Sequence, residues 1–269
     1  MQRQILIIDD HDDLASALHE VFSHTGHRVR VVENRKDALA VENIDEYDLV
    51  ITDLDVIPGE HPREIDSESE CVAEFPEAEK GEHVKAFKLC ASNYRRENFN
   101  EEELKSLVAT VLDYKIRFVD NKALVADLHE NIEFELPSAI STMHIVLEYL
   151  MKRVEKLGVI KPERSNLFVA LDEAFVNAVK HGNKFDSQKL VRITAEVSKA
   201  EARFTVEDEG EGFDVNQIPD PLDPENLFKT SGRGVLFIYN IMDEVKYNDR
   251  GNRLTMVKKA AHDEGSDSK

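Results

Sequence analysis

The amino-acid sequence predicts an α/β unit and an α+β unit joined by a long helix, and three patterns support that fold class. Short β-branched segments that end in aspartates alternate with helical segments over residues 1–55, which is typical of a parallel sheet covered by helices. A helical stretch without proline or glycine follows over residues 101–131. After Pro137, two helical segments precede several alternating strands, which indicates an α+β layer.

These patterns divide the chain of 269 residues, which is long enough for two domains. The first unit covers residues 1–100, a helical linker covers 101–134, and the second unit covers 135–259. Residues 260–269 are polar and predict a disordered tail.

The secondary structure of the first unit is clear from the sequence up to about residue 55 and weakly indicated after it. Apolar runs at Ile5–Ile8 and Leu49–Ile51 predict two strands, with a helix and a further strand between them. Residues 56–90 are interrupted by prolines and rich in acids, so we predict at most a strand near 71–75 and a helix over 82–89.

Composition and charge exclude several function classes. The formal net charge is −20, so the chain does not offer the basic surface that nucleic acid requires. No apolar run approaches the ~20 residues that cross a bilayer, and the amino terminus lacks the anatomy of a signal peptide. We therefore expect a cytoplasmic protein without a membrane or nucleic-acid partner. Cys71 and Cys90 fit no metal-ligand spacing.

The linker carries apolar side chains four and three residues apart, which is the spacing of a coiled-coil seam. Asn121 is the polar member of that seam, and a buried asparagine can fix register and strand number. We expect a homodimer through residues 104–132; the alternative is a single long helix docked on one unit. The seam consists of Leu107, Val111, Tyr114, Phe118, Asn121, Val125, Leu128 and Ile132.

One helix of the second unit carries the clearest chemistry. Glu173, Asn177 and His181 are four residues apart, so they project from one face of the helix. A carboxylate and an amide one turn apart can hold hydrated Mg²⁺ and orient a hydroxyl group.

Two glycine-containing segments follow. Asp208 ends a predicted strand and suits the exocyclic amine of adenine, while Gly210 and Gly212 allow close approach of the backbone.

The second glycine segment begins a helix. Gly232 and Gly234 flank Arg233 at a helix start, where free N–H groups and the guanidinium favour phosphate.

In order, ExxxNxxxHGN, DxGxGF and SGRGxxxIxxxMDEV resemble the three nucleotide-binding boxes of the GHKL (Bergerat) ATPases, in the form used by anti-sigma-factor serine kinases. The resemblance spans about residues 135–258 and implies an ATP site with Mg²⁺ and a short lid near residues 215–230. It implies Glu173 as general base, Asn177 as the Mg²⁺ ligand and Asp208 as the adenine acceptor. The glycines implied to line the nucleotide are Gly210, Gly212, Gly232 and Gly234.

The first unit offers a second candidate site. Asp9 and Asp10 follow the first strand and Asp53 ends the third, so a parallel sheet would gather them at one edge, where repulsion favours a bound Mg²⁺. Ordinary solvated aspartates are the alternative. The arrangement resembles the flavodoxin-like receiver domain of response regulators, which implies Asp53 as phosphoacceptor and an upstream histidine kinase as donor.

The resemblance to receivers is incomplete. Glu97 and Asn98 stand where the receiver lysine–proline pair is expected, and Phe75 falls near the switch threonine or serine position. A glutamate repels a phosphoryl group, although Arg95 or Arg96 is close enough in sequence to substitute for the lysine.

These observations favour an ATP-dependent serine/threonine-protein kinase controlled by a receiver-like domain. The resemblance to anti-sigma-factor serine kinases implies an anti-sigma-factor antagonist as the substrate and a sigma factor as an alternative partner. A nucleotide-dependent binding module without turnover is the second hypothesis. A hybrid histidine kinase phosphorylated at His144 is the third, and the absence of a histidine-box context disfavours it.

Overall fold

The computed structural model describes residues 2–10, 12–56, 83–96, 100–120, 128–160, 166–215 and 233–260. Its strands form one mixed sheet in the order β2-β1-β3-β4-β5-β6-β7-β9-β8. The strands are β1 Gln4–Asp9, β2 Arg28–Val32, β3 Leu49–Val56, β4 His83–Cys90, β5 Leu128–Pro137, β6 Leu190–Val197, β7 Glu201–Asp208, β8 Glu244–Tyr247 and β9 Arg253–Lys259. The α-helices are α1 Asp12–His24, α2 Arg35–Leu39, α3 Glu101–Lys115, α4 Ile140–Lys156, α5 Leu167–Asn177 and α6 Arg233–Ile241.

The parallel sheet predicted for the first unit is present in its first three strands. β1 pairs in parallel with β2 and with β3, where Ile5 lies opposite Leu49. The next strand, β4, is antiparallel to β3, so the sheet departs from a fully parallel flavodoxin-like order.

The helix predicted over residues 82–89 is wrong, because residues 83–89 belong to β4. Its residues pair with β3 on one side and β5 on the other. Phe87 and Leu89 face one layer of the core, while Cys90 faces the other. Long-range pairing on both edges overrides the local helix propensity of this short segment. The strand predicted near residues 71–75 lies outside the described residues.

The predicted helical linker over residues 101–134 is also wrong in its second half. α3 ends at Lys115, and a π turn covers Ile116–Asp120. Residues 128–137 then form β5, which pairs in parallel with β4 and antiparallel with β6. The boundary predicted at residue 134 therefore falls inside a strand that joins the two halves of the sheet.

The apolar face of α3 packs against other helices of the same chain, which contradicts the predicted coiled-coil dimer. Leu107 and Val111 from the predicted seam are buried in the main core, and α3 packs against α1 and α4. A second copy cannot pack on a face that the chain's own helices already cover. Asn121 and Val125 lie outside the described residues.

The second unit follows its prediction closely. As predicted, two helices, α4 and α5, precede the alternating strands, and β7 ends at Asp208. The helix start predicted around Arg233 is the first residue of α6. α5 continues through a π turn at Ala178–Gly182.

One apolar core connects the two halves. It lies on the face of the sheet covered by α1, α3, α4 and α5, and it contains side chains from β1 through β9. Phe87 of β4, Phe134 of β5 and Tyr149 of α4 meet there, with ring centroids 5.9–6.1 Å apart. A smaller cluster lies between the opposite face and α2.

Within the described ranges, no helix combines the length and apolarity that a membrane span requires.

Candidate nucleotide site

A cavity of about 620 Å³ opens where the three glycine- and carboxylate-bearing segments meet. α5, the end of β7, the start of α6 and the turn between β8 and β9 surround it. The predicted residues that line it are Glu173, Asn177, His181, Asp208, Gly212 and Gly234. Residues more than sixty positions apart in sequence thus converge on one space of a size suited to a nucleotide.

α5 places its carboxylate and amide on the cavity side. Leu171 and Phe175 on the other side are buried in the core, so the orientation of the helix is fixed by packing. Glu173 and Asn177 remain partly exposed toward the cavity. The helix changes from α to π hydrogen bonding directly after Asn177. Such widened turns often accompany functional sites.

The carboxylate of Asp208 is held at the end of β7. Its Oδ1 accepts a hydrogen bond of 2.8 Å from the Gly210 N–H, and its backbone N–H donates to the Asn252 carbonyl at 3.0 Å. Burial raises the pKa of this carboxyl group, and the Gly210 N–H and the nearby Arg250 only partly offset that effect. The result is an oriented acceptor in a desolvated position, which suits an exocyclic amine.

Glycine is required where the nucleotide segments approach one another. A Cβ at Gly182 would lie 2.2 Å from the Asp208 carboxyl carbon. At Gly234, it would lie 2.3 Å from Glu173 Oε2. The third segment therefore packs directly against the catalytic candidate Glu173.

The Asp208–Phe213 turn interlocks with the turn after β8. Gly212 has φ +76°, and a Cβ there would lie 1.9 Å from the Arg250 carbonyl oxygen. That carbonyl accepts from the Phe213 N–H at 3.1 Å, and Arg250 Nη2 donates to the Gly210 carbonyl at 2.7 Å. These contacts fix the wall of the cavity. Gly232 and the Arg233 side chain lie outside the described residues.

Two asparagines that sequence reasoning missed hold the segment Asp208–Phe213, which is called the adenine segment after its predicted role. Asn183 is fully buried; its Oδ1 accepts from the Glu209 N–H at 2.8 Å, and its Nδ2 donates to the Leu190 carbonyl at 2.7 Å. Asn252 Nδ2 donates to the Asp208 carbonyl at 2.8 Å. Both residues belong to Gly-Asn pairs, and this repeated pair at a motif end was the available signal.

Phe213 and Tyr247 supply an aromatic part of the cavity wall. Their rings meet edge to face with centroids 5.2 Å apart. Burial raises the pKa of Tyr247 to about 12, so its hydroxyl group stays protonated at neutral pH. An apolar wall beside an oriented carboxylate suits a purine base.

His144 stands apart from this cavity. It lies on α4, with 54% of its side chain exposed, and its ring packs edge to face on Phe168. Asp172 and Glu148 are 4.0 and 3.9 Å away. His144 is not among the residues that line the described cavity.

The structure does not support the Mg²⁺ site predicted from Asp9, Asp10 and Asp53. Among the described residues, no group of three or more acidic, histidine or cysteine side chains is placed to hold a metal ion. Asp9 accepts from the Ala15 N–H at the start of α1, and Asp10 accepts from the Asp55 N–H. The carboxylates thus bind separate backbone groups.

Asp53 is instead neutralised by a lysine that sequence reasoning missed. Lys115 Nζ lies 3.3 Å from both Asp53 oxygens and 3.0 Å from Asp120 Oδ1. Asp53 is 1% exposed. Burial lowers the pKa of Lys115, but the carboxylates of Asp53 and Asp120 outweigh it and raise that pKa overall. The ammonium group of Lys115 therefore occupies the position next to Asp53 at which a Mg²⁺ ion was predicted.

The buried charges continue toward the second half. Arg153 of α4 contacts Asp120 at 3.4 Å, and its Nε donates to Glu130 of β5 at 2.8 Å. The pKa of Arg153 is raised because the carboxylate of Glu130 outweighs the effect of burial. The network links β3, the π turn after α3, α4 and β5.

Comparison with known proteins assigns the class. The family profile of the histidine kinase-like ATPase domain matches residues 136–258. The serine-protein kinase RsbW of Bacillus subtilis (strain 168) is 30% identical over 134 residues, spanning 47% of this chain and 84% of the relative. RsbW of Staphylococcus epidermidis is 27% identical over 135 residues, or 47% of this chain and 85% of the relative. The chain belongs to this family of serine-protein kinases with a histidine kinase-like ATPase domain.

Proposed function

We propose that the protein transfers the γ-phosphoryl group of ATP to a serine or threonine of a partner protein. The convergence of Glu173, Asp208 and Gly234 on one cavity carries this proposal. Membership of the serine-protein kinase family supports the choice of acceptor.

Each part of the cavity has a role in such a transfer. The Asp208 carboxylate accepts from the adenine amine, and the aromatic wall covers the base. The amide oxygen of Asn177 would hold Mg²⁺, since it is a hard ligand that adds no repulsion toward phosphates. Bound Mg²⁺ would neutralise charge on the phosphates. The backbone at the start of α6 offers N–H groups to them.

Glu173 acts on the acceptor hydroxyl group. Its carboxylate takes the proton as the hydroxyl oxygen forms a bond to the γ-phosphorus, and the bond to the β–γ bridging oxygen breaks to release ADP. Gly234 allows the third segment to lie against this carboxylate without a side chain between them. Positioning and charge neutralisation therefore supply most of the catalysis.

The partners follow from the resemblance to anti-sigma-factor kinases. We propose an anti-sigma-factor antagonist as the phosphorylated protein and a sigma factor as the partner bound in exchange. The amino-terminal half, receiver-like in its first three strands, would control this exchange. Phosphorylation of Asp53 by an upstream histidine kinase would require Lys115 to move, because Lys115 covers both carboxylate oxygens.

A capture experiment tests the proposal. The tagged protein is incubated with lysate in ATP, in ADP and without nucleotide, and the bound proteins and their phosphosites are identified by mass spectrometry. We expect nucleotide-dependent capture and a phosphoserine or phosphothreonine on a captured protein. Capture without phosphorylation would support a binding module instead, and acid-labile phosphate on the chain itself would support a histidine kinase.

A further inference from the structure

A short 3₁₀ helix of the amino-terminal half, Ser92–Arg96, contacts the second half next to Asp208, outside the residues that line the cavity. Arg95 Nη1 donates to the Gln188 carbonyl at 2.8 Å and lies 3.1 Å from Glu209 Oε2. Glu209 directly follows Asp208, the proposed adenine acceptor. A guanidinium group from one half of the chain therefore contacts the adenine segment of the other.

Glu209 makes several hydrogen bonds besides its contact with Arg95. Its Oε2 also accepts from the Leu190 N–H at 2.9 Å, and its own N–H donates to the buried Asn183 at 2.8 Å. Both contacts hold Glu209, the residue directly after Asp208. Since Arg95 binds the same carboxylate oxygen as Leu190, removing it loosens the side chain that connects β6 to the adenine segment.

The other end of the 3₁₀ helix is tied to the amino-terminal half. Asn93 Nδ2 donates to the Tyr47 carbonyl at 3.0 Å and to the Asp45 carbonyl. Directly before the helix, the Ala91 N–H donates to the Glu135 carbonyl of β5 at 2.8 Å. The 3₁₀ helix therefore connects the segment before β3, through Asn93, to the residue next to Asp208, through Arg95.

We propose that Arg95 is a positioning residue for ATP, which acts through Glu209 to hold Asp208 in its binding position. ATP affinity thereby depends on the state of the amino-terminal half. The inference rests on the proposed function, in which the cavity binds ATP. Arg95 and Glu209 are each about 30% exposed, so the expected effect is moderate.

The test measures the dissociation constant of a fluorescent ATP analogue with Mg²⁺ for the full chain and its variants. Arg95→Met and Glu209→Gln should each weaken binding about two- to fivefold, and the double variant should be no weaker than the weaker single variant. Arg95→Lys should recover part of the affinity because it keeps the charge. Arg117→Met is the matched control, since Arg117 pairs with Asp113 away from the cavity.

The outcomes separate this inference from the proposed function. Unchanged affinity in both single variants, or fully additive losses, would overturn the role of Arg95 while leaving ATP binding intact. Lack of binding by the unmodified chain would overturn the proposed function itself. Melting temperatures measured in parallel identify any loss that comes from unfolding.

Discussion

At the residue scale, the raised pKa of Asp208 gives the nucleotide site a defined pH response. In the proposed function the ionised carboxylate accepts a hydrogen bond from adenine, so ATP affinity should fall on acidification. Because burial raises this pKa, the fall should begin at a higher pH than for an ordinary aspartate. Titration of the ATP dissociation constant between neutral and mildly acidic pH checks this expectation.

Asp208→Asn provides the control for that response. The pKa of Asp208 is higher in the folded state than in the unfolded state. The contribution of Asp208 to the free energy of unfolding therefore falls as the pH rises from the unfolded pKa to the folded pKa. The amide should therefore weaken ATP binding and remove its acid dependence without lowering the free energy of unfolding at neutral pH. A marked loss of stability would show that Asp208 is mainly structural.

Lys115 neutralises two buried carboxylates, those of Asp53 and Asp120. Lys115→Met leaves Asp53 and Asp120 without their ammonium partner, so it should reduce the free energy of unfolding by about 3–5 kcal/mol. Denaturant unfolding measures the loss. Lys105→Met, at an exposed position of the same helix, is the control.

A paired variant tests the cause of that loss. Asp53→Asn combined with Lys115→Met should recover part of the stability, because it removes one uncompensated charge. If the double variant is as unstable as the two single losses added together, the ion pair is not the reason.

The sequence was sufficient to find site residues that lie close to one another along the chain. Glu173 and Asn177 share a helix face, and Asp208 stands beside its glycines, so spacing together with the resemblance to GHKL ATPases singled them out. Lys115 could not be predicted as the partner of Asp53, because 62 positions separate them and only the packing of α3 on the sheet brings them together. Arg95 was considered only as a substitute for a receiver lysine, and its contact with Glu209 depends on the shared sheet.

At the element scale, β5 explains why the predicted linker failed. Leu128 and Ile132 belonged to the predicted helical seam, yet Ile132, Phe134 and Leu136 alternate along the strand and all lie in the core. A short segment can satisfy both periods, and pairing on both edges decides between them. The second unit was easier to predict because its strands are separated by clear turns.

Phe134 is the side chain that ties β5 to the core. It is fully buried and meets the rings of Phe87 and Tyr149. Phe134→Ala should lower the free energy of unfolding by about 3–5 kcal/mol, whereas His129→Ala on the exposed part of the same strand should change it by less than about 0.5 kcal/mol. Similar small losses in both would contradict the assigned role of β5.

At the scale of the whole molecule, the continuous sheet predicts that the described halves unfold together. β4 and β5 pair along eight residues, and the main core contains side chains from both halves. We expect a single calorimetric transition with equal calorimetric and van't Hoff enthalpies. Two separate transitions would show that the halves are independent domains that merely touch.

The shared sheet also gives the amino-terminal half a physical route to the kinase site. Its charges reach α4 through Asp120 and Arg153, and its 3₁₀ helix reaches the adenine segment through Arg95. Both contacts join described residues of the two halves directly.

The central claim, that Glu173 is the base of a phosphotransfer reaction, is tested most directly by Glu173→Gln. Transfer from labelled ATP to the captured partner protein is measured beside the ATP dissociation constant, with Asp172→Asn as the neighbouring control outside the cavity lining. We predict that Glu173→Gln slows transfer by about 10²–10⁴ while ATP affinity stays within about threefold. Transfer at the unmodified rate in this variant would contradict the account.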